Sequence, residues 1–437
     1  MDQFSAVILA AGRGTRMRSS LPKVLHPLLG VPMLDHVFQH LREAGASDVI
    51  VVVGHGSDQI REHLRDADVR VAIQDPQRGT GHALLEALDQ CPPRNQTVVV
   101  VNGDLPDLDS ALVKRLVEQQ VSNSAALTVT CGKVDHPQGM GRIIRSADAQ
   151  ISKITEEADL QASEREIQEV NLGLYALDHR QVLPVLRPMV EEDLSTDDSS
   201  KEAYLTRLVE CLGIAGLHCQ GWDCGISSEF AQVNDRRQLA EVSRLLQTRW
   251  QNHWMDQGVT IVDPSSTWIE MGVEIGQDTT IEPHTVIRRG VVIGQRCEIG
   301  PFAHIRSGTT LEDDVIVGDF VEVNRSRMAT GSKAKHLAYL GDVSVGEKAN
   351  IGAGAVIANY DGTHKHGTEI GNKAFIGSGS VIVAPGSIGS EAVVAAGALV
   401  PPGRVVEPGT TVMGVPAKVR EDDRNKSDQI CEDEKGT

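Results

Sequence analysis

The run VEIGQDTTIEPHTVIRRGVVIGQRCEIG, residues 273–300, decides the fold of the second half of this 437-residue chain. An aliphatic residue returns at every sixth position, as at Ile275, Ile281 and Ile287, and glycine often follows it. A period of six fits neither an α-helix, whose period is 3.6, nor a half-buried strand, whose period is two. It is typical of a β-helix in which three six-residue sides make one coil and the coils stack on one another.

The six-residue series extends well beyond this run and is broken twice, at 324–344 and at 358–369. We expect both segments to leave the coil as loops or irregular turns, and loops that interrupt a regular scaffold often carry function. At three positions per coil, the series predicts about seven coils. The aliphatic positions are Ile269, Ile275, Ile281, Ile287, Ile293, Ile299, Ile305, Leu311, Val317, Val323, Val345, Ile351, Ile357, Ile370, Ile376, Ile382, Ile388, Val394, Val400, Val406 and Val412.

The first half of the chain has a different pattern, in which short apolar runs alternate with amphipathic segments. Ala6–Leu9 and Val98–Val101 are such runs, and Ala83–Leu88 is such a segment. The alternation predicts βαβ units and therefore a mainly parallel sheet covered by helices. Because ligands of these sheets bind beyond the carboxyl ends of the strands, the loops that follow the two apolar runs are the candidate site.

A segment with helical spacing joins the two halves. It extends from about Asp235 to Asp256, and Gly258 follows where a helix would end. Its tryptophans, Trp250 and Trp254, are expected to pack rather than to bind a ligand. The predicted organisation is an α/β domain at 1–225, a linker helix at 226–258, a β-helix at 259–420 and a disordered acidic tail at 421–437.

Composition narrows the classes of partner and compartment. The formal net charge of −18 opposes binding to nucleic acid, which needs clustered lysine and arginine. The first residues lack the basic segment of a signal peptide, and no run reaches the roughly 18 apolar residues of a membrane span. Seven cysteines without a C-x-x-C pair indicate free thiols in a reducing cytosol. We expect a cytoplasmic protein that acts on small molecules, without nucleic acid and without membrane insertion.

The loop after the first apolar run has the composition of a phosphate-binding loop. It reads LAAGRGTRM at 9–17 and continues to Leu21, Pro22 and Lys23. Glycines let backbone N–H groups approach phosphates, and Arg16 and Lys23 can neutralise a transferring phosphoryl group. The third glycine of a dinucleotide fingerprint and the Gly-Lys-Ser/Thr of a P-loop are both missing. By itself the loop could also be a tight turn.

With its later motifs the chain resembles the family of bifunctional N-acetylglucosamine-1-phosphate uridylyltransferases/glucosamine-1-phosphate acetyltransferases. The resemblance covers nearly the whole chain and ends near Pro416. It implies a Rossmann-like α/β nucleotidyltransferase domain followed by a left-handed parallel β-helix of hexapeptide repeats that assembles as a homotrimer. The motifs that follow the loop are LPKVLH at 21–26, Gln74 with GTGH at 79–82, Gly103 with Asp104, GRI at 141–143, Glu156, QEVN at 168–171, and Val233 with Asn234.

For the first domain, the resemblance implies that a sugar 1-phosphate oxygen attacks the α-phosphorus of UTP and that pyrophosphate leaves. Asp104 and Asn234 would hold Mg²⁺, while Arg16 and Lys23 would act on the triphosphate as catalytic residues. The product would be UDP-N-acetylglucosamine, a precursor for the cell wall and for lipopolysaccharide. The residues implied to bind UTP and the UDP-sugar are Leu9, Ala10, Ala11, Gly12, Lys23, Gln74, Gly79, Thr80, Gly141, Glu156, Asn171 and Asn234.

For the β-helix, the resemblance implies acetylation of glucosamine 1-phosphate by acetyl-CoA. His336, in the first interruption, would be the general base that takes a proton from the attacking amine. The second interruption would be a loop that reaches a neighbouring subunit. The implied ligands of the amino sugar are Arg306, Tyr339, Asn350 and Lys365, and those of acetyl-CoA are Ala353, Asn359, Tyr360, Ser378 and Ala396.

The second half departs from the family pattern. Asn324 stands where the family usually has a lysine for the sugar phosphate, and Gly414 stands where an arginine touches coenzyme A. The tail is acidic rather than basic, and the early coils are about one turn shorter. Two alternatives therefore stay open: a uridylyltransferase whose β-helix is a scaffold or acetylates another amine, and a non-catalytic binding protein. The presence of Lys23, Asp104 and Asn234 favours an enzyme.

Overall fold

The computed structural model describes residues 3–54, 57–195, 201–225 and 232–420. They form two compact units, Met1–Ser243 and Arg244–Thr437. The predicted tail at 421–437 lies outside the described residues. Among the described helices, none is long and apolar enough to cross a membrane.

The first unit is built on one mixed sheet in the order β11-β7-β10-β6-β1-β4-β5. Strand β1 pairs in parallel with β4 and β6, β4 with β5, and β7 with β11, whereas β10 is antiparallel to β6 and β7. Strands β8 and β9 extend the sheet beside β10, and β2 pairs with β3 apart from it. The strands are β1 Phe4–Leu9, β2 Pro27–Leu28, β3 Val31–Pro32, β4 Ala46–Gly54, β5 Arg70–Gln74, β6 Thr97–Asn102, β7 Leu127–Lys133, β8 Arg142–Arg145, β9 Ile151–Thr155, β10 Glu169–Asp178 and β11 Cys219–Asp223.

Both faces of this sheet are buried. Val98 and Val100 of β6 belong to one apolar cluster, and Val99 and Val101 belong to another, as the alternation of side chains along a strand requires. The first cluster includes residues of α3, α5 and α6, and the second includes residues of α1 and α4. The predicted helix-covered sheet is confirmed. The α-helices of the chain are α1 Met33–Ala44, α2 Asp58–His63, α3 Thr80–Gln90, α4 Ser110–Asn123, α5 His179–Leu194, α6 Leu208–Ile214 and α7 Arg236–Asp256.

The second unit is a parallel β-helix with three faces. Each short strand pairs with the equivalent strand one coil further on, as Ile275 pairs with Ile293 and Ile293 with Leu311. The aliphatic residues of the six-residue series point inward and are buried. At Gly276 a Cβ atom would lie 2.5 Å from the carbonyl carbon of Gly294, so the close spacing of coils requires glycine there.

Within the described residues the three faces carry nine, eight and eight parallel strands, which make eight coils and one further side. The first face has Thr260–Ile261, Thr280–Ile281, Glu298–Ile299, Ile316–Asp319, Lys333–His336, Asn350–Ile351, Phe375–Ile376, Val393–Val394 and Thr411–Met413, to which Lys418–Val419 adds an antiparallel strand. The second has Trp268–Ile269, Val286–Ile287, His304–Ile305, Glu322–Asn324, Tyr339–Gly341, Val356–Ala358, Val381–Val383 and Leu399–Val400. The third has Glu274–Ile275, Val292–Ile293, Thr310–Leu311, Arg327–Met328, Val343–Val345, Thr368–Ile370, Gly386–Ile388 and Val405–Val406.

The prediction that residues 324–344 leave the coil is wrong. Met328, Ala334 and Leu340 fill the inward positions and are buried, and their strands pair with the coil before. The six-residue frame is lost because the steps from Val323 to Met328 and from Leu340 to Val345 take five residues instead of six. This continuous coil is also why the helix has one coil more than predicted.

The second interruption does form a loop. Ile357 and Ile370 occupy successive inward positions but lie 13 residues apart, so the intervening chain leaves the coil. Tyr360 and Lys365 form an isolated antiparallel bridge within this loop.

The second half of helix α7 belongs to the β-helix unit, and its two tryptophans pack there as predicted. Trp254 is buried in the core of the β-helix, and Trp250 packs against that core and donates from Nε1 to the carbonyl oxygen of Glu270 at 3.1 Å. Gln251 donates to the carbonyl oxygen of Thr267 at 2.8 Å. The helix therefore caps the open end of the first coils.

Candidate functional site

A cavity of about 580 Å³ opens at the carboxyl ends of β1, β5 and β6 in the first unit. It lies where parallel sheets bind their ligands. Most of the predicted nucleotide residues line it together, namely Leu9, Ala10, Ala11, Gly12, Lys23, Gln74, Gly79, Thr80 and Asp104.

The loop after β1 is held in a conformation that needs glycine. Gly14 has φ of 58°, in the left-handed region, and a Cβ atom there would lie 2.7 Å from Cβ of Lys23. The loop is tied to the next strand by the Gly103 N–H, which donates to the carbonyl oxygen of Leu9 at 2.9 Å. The absence of a side chain at Gly14 therefore leaves room for Lys23 beside the loop.

The predicted metal ligands and catalytic cations are in contact with one another. Lys23 Nζ forms a short ion pair with Asp104 Oδ2 and donates to Asn234 Oδ1 at 2.9 Å. Arg16 Nη2 donates to the same Asn234 oxygen at 2.9 Å. The four residues, which come from distant parts of the sequence, therefore share one site.

The oxygens at this site fit Mg²⁺. Asp104 Oδ1 is buried and has no hydrogen-bond partner, so the carboxylate has an unused acceptor. A carboxylate and an amide oxygen are ligands that this hard ion accepts, with the remaining positions left to water and substrate phosphates. Among the described residues no group of three or more His, Cys, Asp or Glu could hold a metal by itself.

Hydrogen bonds order the far side of the cavity. Gln74 is buried and donates from Nε2 to the carbonyl oxygen of Gly79 at 2.8 Å. Gln77, which we did not predict, donates to the carbonyl oxygen of Ala11 at 2.6 Å and accepts from Arg13 Nε at 3.0 Å. The one sequence feature that points to Gln77 is its position between two predicted site residues, three residues after Gln74 and two before Gly79.

The three residues predicted to bind the sugar form a second cluster. The Asn171 N–H donates to the carbonyl oxygen of Gly141 at 2.9 Å, and Glu156 Oε1 accepts from the hydroxyl of Thr206 at 2.8 Å. Burial raises the pKa of the Glu156 carboxyl above its ordinary value, and the Thr206 hydrogen bond offsets part of this effect. Thr206 was missed because it lies 50 residues from Glu156 in the chain.

The segment that carries Thr206 links this cluster to the cavity. The Gly81 N–H donates to the carbonyl oxygen of Ala203 at 2.7 Å, and the Leu205 N–H donates to the hydroxyl of Thr80 at 2.9 Å. On the other side, Asn171 Nδ2 donates to the hydroxyl of Tyr175 at 2.6 Å. The predicted base-binding and sugar-binding residues are therefore parts of one connected structure.

In the β-helix unit His336 ends a strand of the first face, with its side chain about 57 % exposed. Its Nδ1 contacts Oδ1 of Asp319, which occupies the equivalent position one coil earlier. A carboxylate accepts hydrogen bonds only, so this contact places the proton on Nδ1 and leaves Nε2 as the basic nitrogen of the neutral ring. Asp319 was missed because its partner lies 17 residues away, an offset that only the coil length defines.

Three of the residues predicted to bind acetyl-CoA lie on successive coils at the same corner of the β-helix as His336. The Gly354 N–H, next to Ala353, donates to the carbonyl oxygen of His336 at 3.2 Å. On the following coils the Gly379 N–H donates to the carbonyl oxygen of Ala353 at 2.8 Å and the Gly397 N–H to that of Ser378 at 2.9 Å. Ala353, Ser378 and Ala396 therefore form a column of small side chains that begins beside the histidine.

Of the residues predicted to bind the amino sugar, Arg306 and Tyr339 lie on or beside strands of the second face, whereas Asn350 is on the first face with His336. Arg306 pairs with Glu322 at 2.7 Å, and the Tyr339 hydroxyl lies 3.4 Å from Oδ1 of Asn359. Asn350 begins the strand one coil beyond Lys333.

Asn359 and Tyr360, at the start of the second interruption, differ in exposure. Asn359 is buried and its amide contacts Asp342, whereas Tyr360 is exposed. Lys365 lies opposite Tyr360 in the bridge of the loop.

Arg325 does not supply the cation that the family's lysine at position 324 would provide. Its guanidinium pairs with Asp342 through two hydrogen bonds of 2.7 Å each and donates to Asn324 Oδ1 at 3.2 Å. Such a bidentate pair is strong and directional, so this cation is held by Asp342.

Family models match both halves of the chain. The model of the MobA-like NTP transferase domain matches residues 6–170. The model of the bacterial transferase hexapeptide (six repeats) matches residues 290–325, and that of the hexapeptide repeat of succinyl-transferase matches 342–384 and 367–401. The two matched parts correspond to the mixed sheet and to the β-helix.

Three curated relatives, each named bifunctional protein GlmU, match the chain almost from end to end. The relative from Geotalea uraniireducens is 38% identical over 435 residues, covering 92% of this chain and 94% of that protein. That from Trichlorobacter lovleyi is 39% identical, with 91% and 93% covered, and that from Geobacillus thermodenitrificans is 38% identical, with 92% and 94% covered. The chain therefore belongs to the bifunctional GlmU family, the family of uridylyltransferases and acetyltransferases that its motifs resemble.

Proposed function

We propose that the first unit transfers a uridylyl group from UTP to N-acetylglucosamine 1-phosphate, and that the β-helix unit acetylates glucosamine 1-phosphate with acetyl-CoA. The observation that carries the first half is the convergence of Lys23, Arg16, Asp104 and Asn234 at the carboxyl edge of the sheet. The observation that carries the second is the contact of His336 with Asp319 beside a column of small residues.

In the first reaction an oxygen of the sugar 1-phosphate forms a bond to the α-phosphorus of UTP. The bond from that phosphorus to the bridging oxygen breaks, and pyrophosphate leaves. The loop after β1 offers its backbone N–H groups to the phosphates, and Arg16 and Lys23 neutralise the charge that develops on them. Gln74 and Gly79 face the uracil, while Gly141, Glu156 and Asn171 bind the sugar.

Asp104 and Asn234 would hold Mg²⁺, which supplies positive charge to the reacting phosphates. The unpaired Asp104 Oδ1 and the Asn234 amide oxygen support this assignment.

In the second reaction the amine nitrogen of glucosamine 1-phosphate attacks the thioester carbonyl of acetyl-CoA. A C–N bond forms, the C–S bond breaks, and coenzyme A leaves as the thiolate. His336 Nε2 takes the proton from the amine and passes it to the leaving sulfur. Arg306, Tyr339, Asn350 and Lys365 bind the amino sugar. Ala353, Ser378 and Ala396, with Asn359 and Tyr360, bind acetyl-CoA.

We also propose that the protein assembles as a homotrimer and works in the cytoplasm. The flat faces of a β-helix suit side-by-side assembly, and a trimer would let Lys365 reach a neighbouring subunit. UTP and acetyl-CoA are cytosolic metabolites, and the six described cysteines are free thiols. Light scattering of the purified protein tests the subunit number.

Two assays on the purified protein test the activities. Pyrophosphate release from UTP, Mg²⁺ and N-acetylglucosamine 1-phosphate is expected for the first unit, and its absence would refute uridylyl transfer. Free coenzyme A from acetyl-CoA and glucosamine 1-phosphate is expected for the second. Arg325 is held by Asp342 and does not supply the cation for the sugar phosphate that a lysine at position 324 would supply. If the β-helix is only a scaffold, the second assay alone should fail.

A further inference from the structure

We propose that Lys23 acts as a stand-in cation at the metal site, so that the metal and the nucleotide bind the first unit cooperatively. The proposal rests on the proposed function in taking Asp104 and Asn234 as the metal ligands. It adds that the enzyme binds a divalent ion only weakly in the absence of UTP.

The ammonium group of Lys23 already contacts the oxygens that the metal would need. Its Nζ pairs with Asp104 Oδ2 and donates to Asn234 Oδ1 at 2.9 Å. Both charged side chains of the pair are only 14% exposed. The ammonium group therefore occupies the place that a bound cation would take between these two oxygens, which come from distant parts of the chain.

A divalent ion that binds Asp104 Oδ2 and Asn234 Oδ1 must displace the lysine from both oxygens. The ion and the ammonium would compete for the same two oxygens and would repel each other at contact distance, where Coulomb energies are large in a partly buried site. Asp104 Oδ1, buried without a partner, shows that the lysine uses only part of the carboxylate. A metal ion could use this oxygen, whereas Lys23 does not.

The rest of the cavity makes displacement unfavourable until an anion is present. Its lining has four cationic residues, Arg13, Lys23, Arg78 and Lys201, against the acidic Asp104 and Glu202. A released ammonium would therefore face other cations. The triphosphate of UTP supplies the missing anion, since it can accept the displaced lysine and add ligands to the metal. By linkage, the metal must strengthen UTP binding by the same factor.

Binding of Mn²⁺ to the full-length protein, followed by electron paramagnetic resonance without any sugar phosphate, tests the proposal. In the wild type, UTP should tighten Mn²⁺ binding strongly. Lys23→Met keeps the length of the side chain and removes the charge. It should bind Mn²⁺ without UTP roughly 10- to 100-fold more tightly than the wild type, as expected for loss of a charge-assisted competitor. In this variant the gain from UTP should shrink by a similar factor.

Two controls separate the possible outcomes. Lys201→Met removes another lysine of the cavity, which pairs with Asp193 at 3.6 Å. It measures how loss of one positive charge changes Mn²⁺ binding when the lysine does not contact the metal ligands. If Lys23→Met binds Mn²⁺ no more tightly than Lys201→Met does, the stand-in role is refuted. Asp104→Asn should abolish the bound Mn²⁺ signal. If it does not, the assignment of the metal ligands fails, and that result is distinct from failure of the competition.

Discussion

The Nδ1 atom of His336 contacts Oδ1 of Asp319, its neighbour on the preceding coil of the β-helix. Parallel pairing of the two strands brings the residues together although 17 positions separate them. The contact orients the imidazole and leaves Nε2 free of this carboxylate, and the carbonyl oxygen of His336 accepts from the Gly354 N–H beside Ala353, which begins the column of small residues.

Asp319→Asn should lower the kcat of acetyl transfer roughly 10- to 100-fold, because the base would lose the charge that fixes its tautomer. The KM values should change little, and uridylyl transfer should be unchanged. Two steady-state assays and ¹⁵N NMR of the His336 ring measure these effects. Asp314→Asn, which removes one of the two exposed carboxylates that pair with Arg296, is the matched control. A wild-type ring tautomer in Asp319→Asn would contradict the positioning role.

Glu156→Gln should separate stability from activity. Because burial raises the pKa of Glu156 above 4.5 in the folded protein, its ionised form opposes folding above the folded pKa. The gain in unfolding free energy from Glu156→Gln should therefore be smallest below about pH 4.5, grow as the pH rises from there toward the folded pKa, and level off above it. Uridylyl transfer should fall roughly tenfold or more through loss of a charged acceptor.

Urea unfolding of both proteins at several pH values measures this difference, in which the other titrating groups largely cancel. A difference that shrinks with rising pH would show that the pKa of Glu156 is not raised. Retention of full activity would argue against its place in the sugar site.

Gly14→Ala should cost about 1–2 kcal/mol of stability, since an alanine at φ of 58° is strained and its Cβ would press on Lys23. Displacement of Lys23 should also raise the KM for UTP. At Gly12 an added Cβ meets nothing within 4 Å, so Gly12→Ala is the control for stability. Equal unfolding free energies of the two variants, from chemical denaturation, would refute the strain argument.

Leu340→Ala should destabilise the β-helix unit by about 2–5 kcal/mol, because Leu340 is fully buried in the coil that the broken sequence pattern concealed. Leu337→Ala removes the same atoms from a side chain that is 62% exposed and should have a small effect on the melting temperature. Calorimetry of both variants compares them. If Leu340→Ala were as stable as Leu337→Ala, residues 324–344 would not form a packed coil.

Local pattern was sufficient to predict most of the fold. The six-residue series predicted the β-helix because every inward position must be filled, and each filled position leaves its mark on the sequence. The alternation in the first half predicted the parallel sheet and located the candidate site at the loops after β1 and β6. The pattern failed at Met328 and Ala334, where the inward residues are not β-branched and where five-residue steps shift the frame.

For the sites, the sequence determined which residue types were present and, through the family resemblance, which of them to examine. Only the tertiary structure decided their partners. Asp319 reaches His336 because the coil has a defined length, and Thr206 reaches Glu156 because its segment packs against β9. Lys23 contacts both Asp104 and Asn234 because three separate segments of the chain meet at one edge of the sheet. Such contacts join residues far apart in the chain, so no local period records them, and they exist only once the packed core has fixed the strands that carry them.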